Sequence, residues 1–243
     1  LIVPPKCEYF DGSEDGYRTA EDIVEEDEFT LVLQKFDALI AAKEIQRNTL
    51  GIPQAKRDLF DKQLIHIKES KLLYIVCRRT GMRISEALGI SFGDFYPKKL
   101  ADKNLNKLLE KNDLTSSSYI ILKSQLGEYD EVNQRWKREA LKTKKKPSLE
   151  NARTIPIFNG QEDCDLILKT LHLQARTHFN VTAPAQIAAN EGQFLFFRNI
   201  NKNIATNYLR KIYDELETKG YKWKPFHCLR HTRSTELVSQ THD

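Results

Sequence analysis

Apolar residues recur with helical spacing in two long early segments. In "EFTLVLQKFDALIAAKEIQ" (28–46), Phe29, Leu33, Phe36 and Ile40 fall three or four positions apart, which marks one face of a helix. "LGIP" at 50–53 interrupts the pattern. A second helix is expected from Asp58 to Arg79, with Leu64, Ile67, Leu72, Ile75 and Val76 on its apolar face. Gly81 suits its end, because glycine adopts the left-handed cap conformation at little cost. A short helix, "RISEALGI", follows at 83–90. The middle changes character. "SSSYIILKSQL" (116–126) is rich in β-formers after a serine cluster, and "ALKTKK" and "ARTIPIF" give two more short strands. Helices return over 162–178, over about 202–219, and from near Pro225. Residues 97–115 fit no pattern, and no internal repeat is present. The expected class is α+β: a mainly helical domain with one small three-stranded antiparallel sheet.

Charge changes the picture. The net charge is +4, from 38 basic and 34 acidic residues. Residues 1–30 hold only Lys6 and Arg18 against ten acidic residues, so the rest of the chain carries an excess of twelve positive charges. The excess clusters in "RWKREALKTKKK" (135–146) and over 198–233. A basic body of this kind points to a nucleic-acid partner. No apolar run is long enough to span a membrane. Cys7, Cys77, Cys164 and Cys228 are too widely spaced for a CxxC pair, which fits a reducing, cytoplasmic setting. The first residues lack a signal-peptide pattern and an initiator Met, so the chain reads as part of a longer protein.

Two stretches concentrate chemistry. "FHCLRHTRSTEL" (226–237) sets two histidines and two arginines around one cysteine. His227 and His231 share a helical face, but the position after His227 is Cys228 rather than the Glu of HExxH. Arg230 and Arg233 would crowd a dication, so no metal and no cofactor is expected. A Cys228–His pair is disfavoured, because adjacent helical residues diverge. The set fits a phosphate better: arginine offers a planar fork of donors, and His227 and Arg230 share a face near a helix start. The second stretch is "RRTGMRISEALGISFGDF" (78–95), where Glu86 stands one turn from Arg83 and can hold its guanidinium.

"TGMRISEALGI" followed much later by "HCLRHTRST" resembles the two signature boxes of the tyrosine recombinases, the phage-integrase family. "LKTKKKPSLENARTIPI" between them resembles that family's lysine hairpin, where a strand ends in R-x-I-P. "FLFFRNINKNIATNYLRKI" is similar to the segment before the second box. The resemblance spans roughly residues 28–237. It implies that Arg83, Lys142, His227 and Arg230 are catalytic, with Glu86 and His231 supporting them. It also implies that Arg135, Lys137, Arg138, Lys144, Lys145, Lys146 and Arg233 contact DNA. The implied reaction is breaking and rejoining of DNA through a 3′-phosphotyrosyl link, without metal, by a homotetramer on double-stranded recombination sites. Phosphate oxygens clamped by arginines and a lysine acid are the parts that such chemistry needs.

Several positions depart from the family pattern. The loop between the first strand and Lys142, "SQLGEYDEVNQRWKREA", is long, so Lys123, Lys144, Lys145 and Lys146 remain alternatives for the lysine. Arg233 stands where the family carries an apolar or small residue. The family's tyrosine should follow Arg230, yet none of the thirteen later residues is a tyrosine. Tyr208 and Tyr213 share helical spacing with Ile204 and Ile212, which predicts burial. The expectation is a catalytic domain over 28–243 that lacks its nucleophile and is monomeric and inactive as it stands. Residues 1–27 are read as an acidic linker from a core-binding domain. A bacterial or phage origin and a nucleoid location follow from the resemblance. A non-cleaving DNA-binding regulator of the same fold and a type IB topoisomerase are the alternatives.

Overall fold

The computed structural model describes residues 22–96, 119–132, 135–141, 152–157, 161–181, 186, 192–196 and 200–240. Two long helices open the fold, α1 (Glu26–Asn48) and α2 (Gln54–Thr80), followed by the short α3 (Ile84–Leu88). Five strands come next: β1 (Phe95–Tyr96), β2 (Tyr119–Leu122), β3 (Ser124–Asp130), β4 (Arg135–Ala140) and β5 (Arg153–Pro156). Helices α4 (Glu162–His178), α5 (Lys202–Leu216) and α6 (Phe226–Gln240) complete the order. The chain is thus mainly helical with a small antiparallel strand set, an α+β arrangement. No helix among the described residues is long and apolar enough to cross a membrane.

Helix α2 is the axis of the core. Its second half, Leu73 to Arg78, is buried on all sides because α1, α3, α4, α5 and α6 pack around it. Tyr74 stacks on Phe29 of α1 at 5.5 Å and meets Phe226 of α6 edge-on at 6.0 Å. Such ring pairs add to area burial and fix the helix angles. Of the apolar faces expected from spacing, Phe29, Phe36, Leu64, Ile67, Ile75 and Val76 are buried, while Leu33, Ile40 and Leu72 are half-buried at its margin. Charged groups lock the same helices. Glu28 of α1 is buried and accepts from Tyr213 of α5 at 2.7 Å and from Lys224 at 2.5 Å. Arg78 of α2 is buried and donates twice to Glu236 of α6, at 2.9 and 2.5 Å.

The strands depart from the expected single sheet. β1, β2 and β5 form one three-stranded antiparallel sheet, and β3 and β4 form a separate two-stranded hairpin. Within the run 116–126, the described residues 119–126 belong to two strands broken at Lys123. The long segment that looked like a loop is the β3–β4 hairpin. Its pattern was hidden because β4 alternates between exposed and half-buried residues, with charged side chains in both sets. A cross-strand pair, Tyr129 and Trp136 with ring centroids 5.2 Å apart, holds it instead. Of "ALKTKK", only Ala140 lies in a strand, and residues 142–145 fall outside the described residues. Residues 97–115 also lie outside them. Helix α1 starts at Glu26, inside the stretch read as a linker.

The turn after α2 positions everything that follows. Gly81 closes α2 with φ +68°, and its N–H donates to the Cys77 carbonyl at 3.0 Å. Three residues later the chain re-enters a helix. Gly89, just past α3, lets the backbone of β3 come close. A Cβ there would lie 2.7 Å from the Leu126 nitrogen and 2.8 Å from the Gln125 carbonyl carbon. Those neighbours are backbone and cannot turn aside. Gly89→Ala is therefore expected to cost about 1–3 kcal/mol through overpacking, read as a lowered midpoint in denaturant unfolding. An unchanged midpoint would show that α3 and the hairpin are not tightly coupled.

Candidate functional site

The site is built on Glu86. Its carboxylate is buried, with 1% of the side chain exposed, and three arginines from three elements surround it. Arg83, at the start of α3, donates its backbone N–H to Oε2 at 2.8 Å and its Nη1 to Oε1 at 2.9 Å. Arg153, first residue of β5, donates its Nη2 to Oε2 at 2.7 Å. Arg230 of α6 places its Nη1 3.8 Å from Oε2 and donates to the Gly81 carbonyl at 3.0 Å. The three guanidinium side chains are 30%, 37% and 27% exposed. The carboxylate is thus shut in while its partners open toward solvent. Burial alone would raise the Glu86 pKa. Arg153 first, then the Arg83 backbone N–H and the Arg83 charge, outweigh it and hold the carboxyl below its ordinary value.

His227 stands on the first turn of α6, exposed, one turn before Arg230 and His231. The Nε2 atoms of His227 and His231 lie 3.0 Å apart. One must donate and the other accept, so this arrangement carries no more than one extra proton. Arg233 packs its stem against Gly81, where a Cβ would meet its Cγ at 3.3 Å, and pairs with Glu236 at 3.2 Å. Cys228 is buried, as are Cys77 and Cys164, and none of the three forms a disulfide. No group of three or more His, Cys, Asp or Glu among the described residues could hold a metal ion.

Of the residues expected to act together, the structure brings together Arg83, Glu86 and Arg230, with His227 and His231 on the helix that carries Arg230. Lys142, Lys144, Lys145 and Lys146 lie outside the described residues. Lys123, the remaining alternative, donates to the Gly93 carbonyl at 2.9 Å and lies 3.8 Å from the buried Asp94. Arg135 and Lys137 are exposed on β4, whereas Arg138 turns inward to Ser124 at 2.8 Å and Asp94 at 3.2 Å. Tyr213 is buried, and burial raises its hydroxyl pKa, reinforced by Tyr74 and Glu28. Tyr208 is half-buried, and burial raises its pKa too. Neither is an activated nucleophile.

Arg153 is the member that sequence reasoning missed. It was visible only as the first letter of R-x-I-P. The signal was there in strand alternation: residues 153 and 155 face the same way, and Ile155 is buried. An arginine on the inward row of a strand calls for a buried partner. No family model matches the chain, and a search of curated proteins finds no match either.

Glu86→Gln would leave three guanidiniums without their counter-charge. Breaking a buried pair costs about 3–5 kcal/mol, and the open arginine sides favour the lower end. Glu86 has a folded pKa below its ordinary 4.5. Its contribution is therefore complete above that value and is lost as pH falls below it, through the lowered folded value. Unfolding midpoints measured across acid pH should fall less steeply in E86Q than in the parent. Parallel curves would show that Glu86 does not anchor the cluster.

Proposed function

We propose that this arginine cluster grips a phosphodiester of double-stranded DNA, and that the chain is the catalytic domain of a site-specific DNA recombinase of the tyrosine-recombinase kind. One observation carries the reading: Arg83, Arg153 and Arg230, remote in sequence, converge on one buried carboxylate. A carboxylate that needed only neutralising would require one arginine. Three guanidiniums on one carboxylate, each partly open to solvent, suit a phosphate whose oxygens accept from guanidinium forks.

In the proposed reaction a tyrosine hydroxyl releases its proton to solvent and attacks the phosphorus. The bond to the 5′ oxygen breaks, that oxygen takes a proton, and a 3′-phosphotyrosyl link results. A 5′-hydroxyl from another strand reverses the step, so the bond energy is kept. The arginines stabilise charge growing on the non-bridging oxygens. In this reading His227 shares a hydrogen bond with one of them. A lysine of the 123–146 segment supplies the proton. Arg135 and Lys137 on the hairpin add phosphate contacts outside the reacting centre, and the working assembly is a tetramer on two duplexes.

The test uses the protein at its natural length and a pool of nicked duplexes of randomised sequence. A covalent protein–DNA adduct is expected, with Arg83→Ala or Arg230→Ala lowering its yield by about 10²–10³-fold, as loss of one oxyanion-binding donor does. Duplex affinity should fall linearly with salt on logarithmic axes. Binding without any adduct would replace this reading with a non-cleaving regulator. Relaxation of supercoiled plasmid by a monomer, without strand exchange, would replace it with a type IB topoisomerase.

A further inference from the structure

We infer that Arg153 is itself a phosphate ligand, the third arm of the clamp, rather than a structural partner of Glu86; this rests on the phosphodiester reading above. The first argument is that Glu86 does not need Arg153. Arg83 already satisfies both carboxylate oxygens, through its backbone N–H at 2.8 Å and its Nη1 at 2.9 Å. One arginine in that geometry neutralises and hydrogen-bonds the group. A second guanidinium at 2.7 Å adds charge repulsion with Arg83 that a purely structural site would avoid.

The second argument is the position. In the β2–β5 register, Arg153 pairs with Leu122 and Ile155 pairs with Ile120. Paired residues share a sheet face, so Arg153 ends an inward row whose other members are all buried. A long cation at the end of such a row carries a desolvation cost that an apolar residue would not. The third argument is that the protein leaves the side chain unsaturated. Its Nε is buried and has no hydrogen-bond partner among the described residues. A buried donor without a partner costs about 1–3 kcal/mol and calls for an explanation. Meanwhile 37% of the side chain is open to solvent.

An incoming anion resolves all three points. Arg83, Arg153 and Arg230 all reach the oxygens of one carboxylate, so their solvent-facing sides surround a common space. A phosphate there offers acceptors on several oxygens, and a small turn of the Arg153 guanidinium brings its spare donors to them. The phosphate also removes the like-charge repulsion that Glu86 alone leaves uncompensated.

The experiment measures affinity for a short fluorescent duplex over a range of salt, for the unmodified chain, Arg153→Gln and Arg153→Lys. For R153Q, the slope of log K against log salt should lose about 0.9, the signature of one phosphate contact. R153K should keep the slope while losing several-fold in affinity, because it keeps the charge and loses the fork. In parallel, the unmodified chain is treated with an arginine-specific dicarbonyl and mapped by mass spectrometry. Duplex DNA should protect Arg153 together with Arg83 and Arg230. A parental slope in R153Q with a lowered unfolding midpoint, or modification of Arg153 undiminished by DNA, would make it a structural partner only. Failure of the unmodified chain to bind duplex at all would instead remove the phosphodiester reading, and this assignment with it.

Discussion

A carboxylate cannot be buried without its charge being answered, and Glu86 sets that constraint at the centre of this fold. Its side chain is 1% exposed and ionised, with three arginines within 4 Å. Each arginine is fixed by a different element. If α3, β5 or α6 shifts, a buried charge loses a partner, at a cost of several kcal/mol. The pairing therefore does more than join two side chains. It ties a five-residue helix, a strand edge and a late helix into one relative position. The Arg230 bond to the Gly81 carbonyl closes the same circle, joining residues 149 apart in the chain.

The remaining structure keeps that circle rigid. Helix α6, which carries His227 and Arg230, is held near both ends. At its start Phe226 packs on Tyr74, and Lys224 just before it bonds Glu28 at 2.5 Å. Toward its end Glu236 takes two bonds from the buried Arg78. Arg79 beside Arg78 reaches Glu26 at the start of α1 and Asp163 at the start of α4. The Arg78 and Arg79 pairs and the aromatic stack converge on α2, and the Lys224–Glu28 pair fixes α1 beside it. Side chains that must meet a ligand within a few tenths of an ångström gain from such support, because their orientation is settled before the ligand arrives.

The helices were legible in the sequence because their signal is local. The 162–178 helix and the Gly81 stop follow from spacing and from glycine chemistry alone. The Arg83–Glu86 contact was legible for the same reason, since one helical turn brings the pair together. The β3–β4 hairpin was not, because charged residues occupy both faces of β4 and no apolar alternation marks it. Arg153 was legible only as a member of the row that Ile155 shares; its partner lies 67 residues away, and no local pattern names it. Buried Glu28 and Arg78 look like ordinary helix-surface charges until their distant partners appear. Charge patterns reveal composition; they do not reveal which charges tertiary packing encloses.

The choice of arginine follows from the crowding. Three cations near one carboxylate repel each other. That repulsion pushes the pKa of a lysine placed this way downward. Arginine keeps its charge under the same pressure, because its guanidinium stays protonated throughout the accessible range. Permanent charge then works in two directions. It holds Glu86 below its ordinary pKa despite burial, and it persists whatever the protonation of the groups around it. The three elements that carry Arg83, Arg153 and Arg230 are therefore held to the same carboxylate across the neutral range, because neither side of the pairing titrates there.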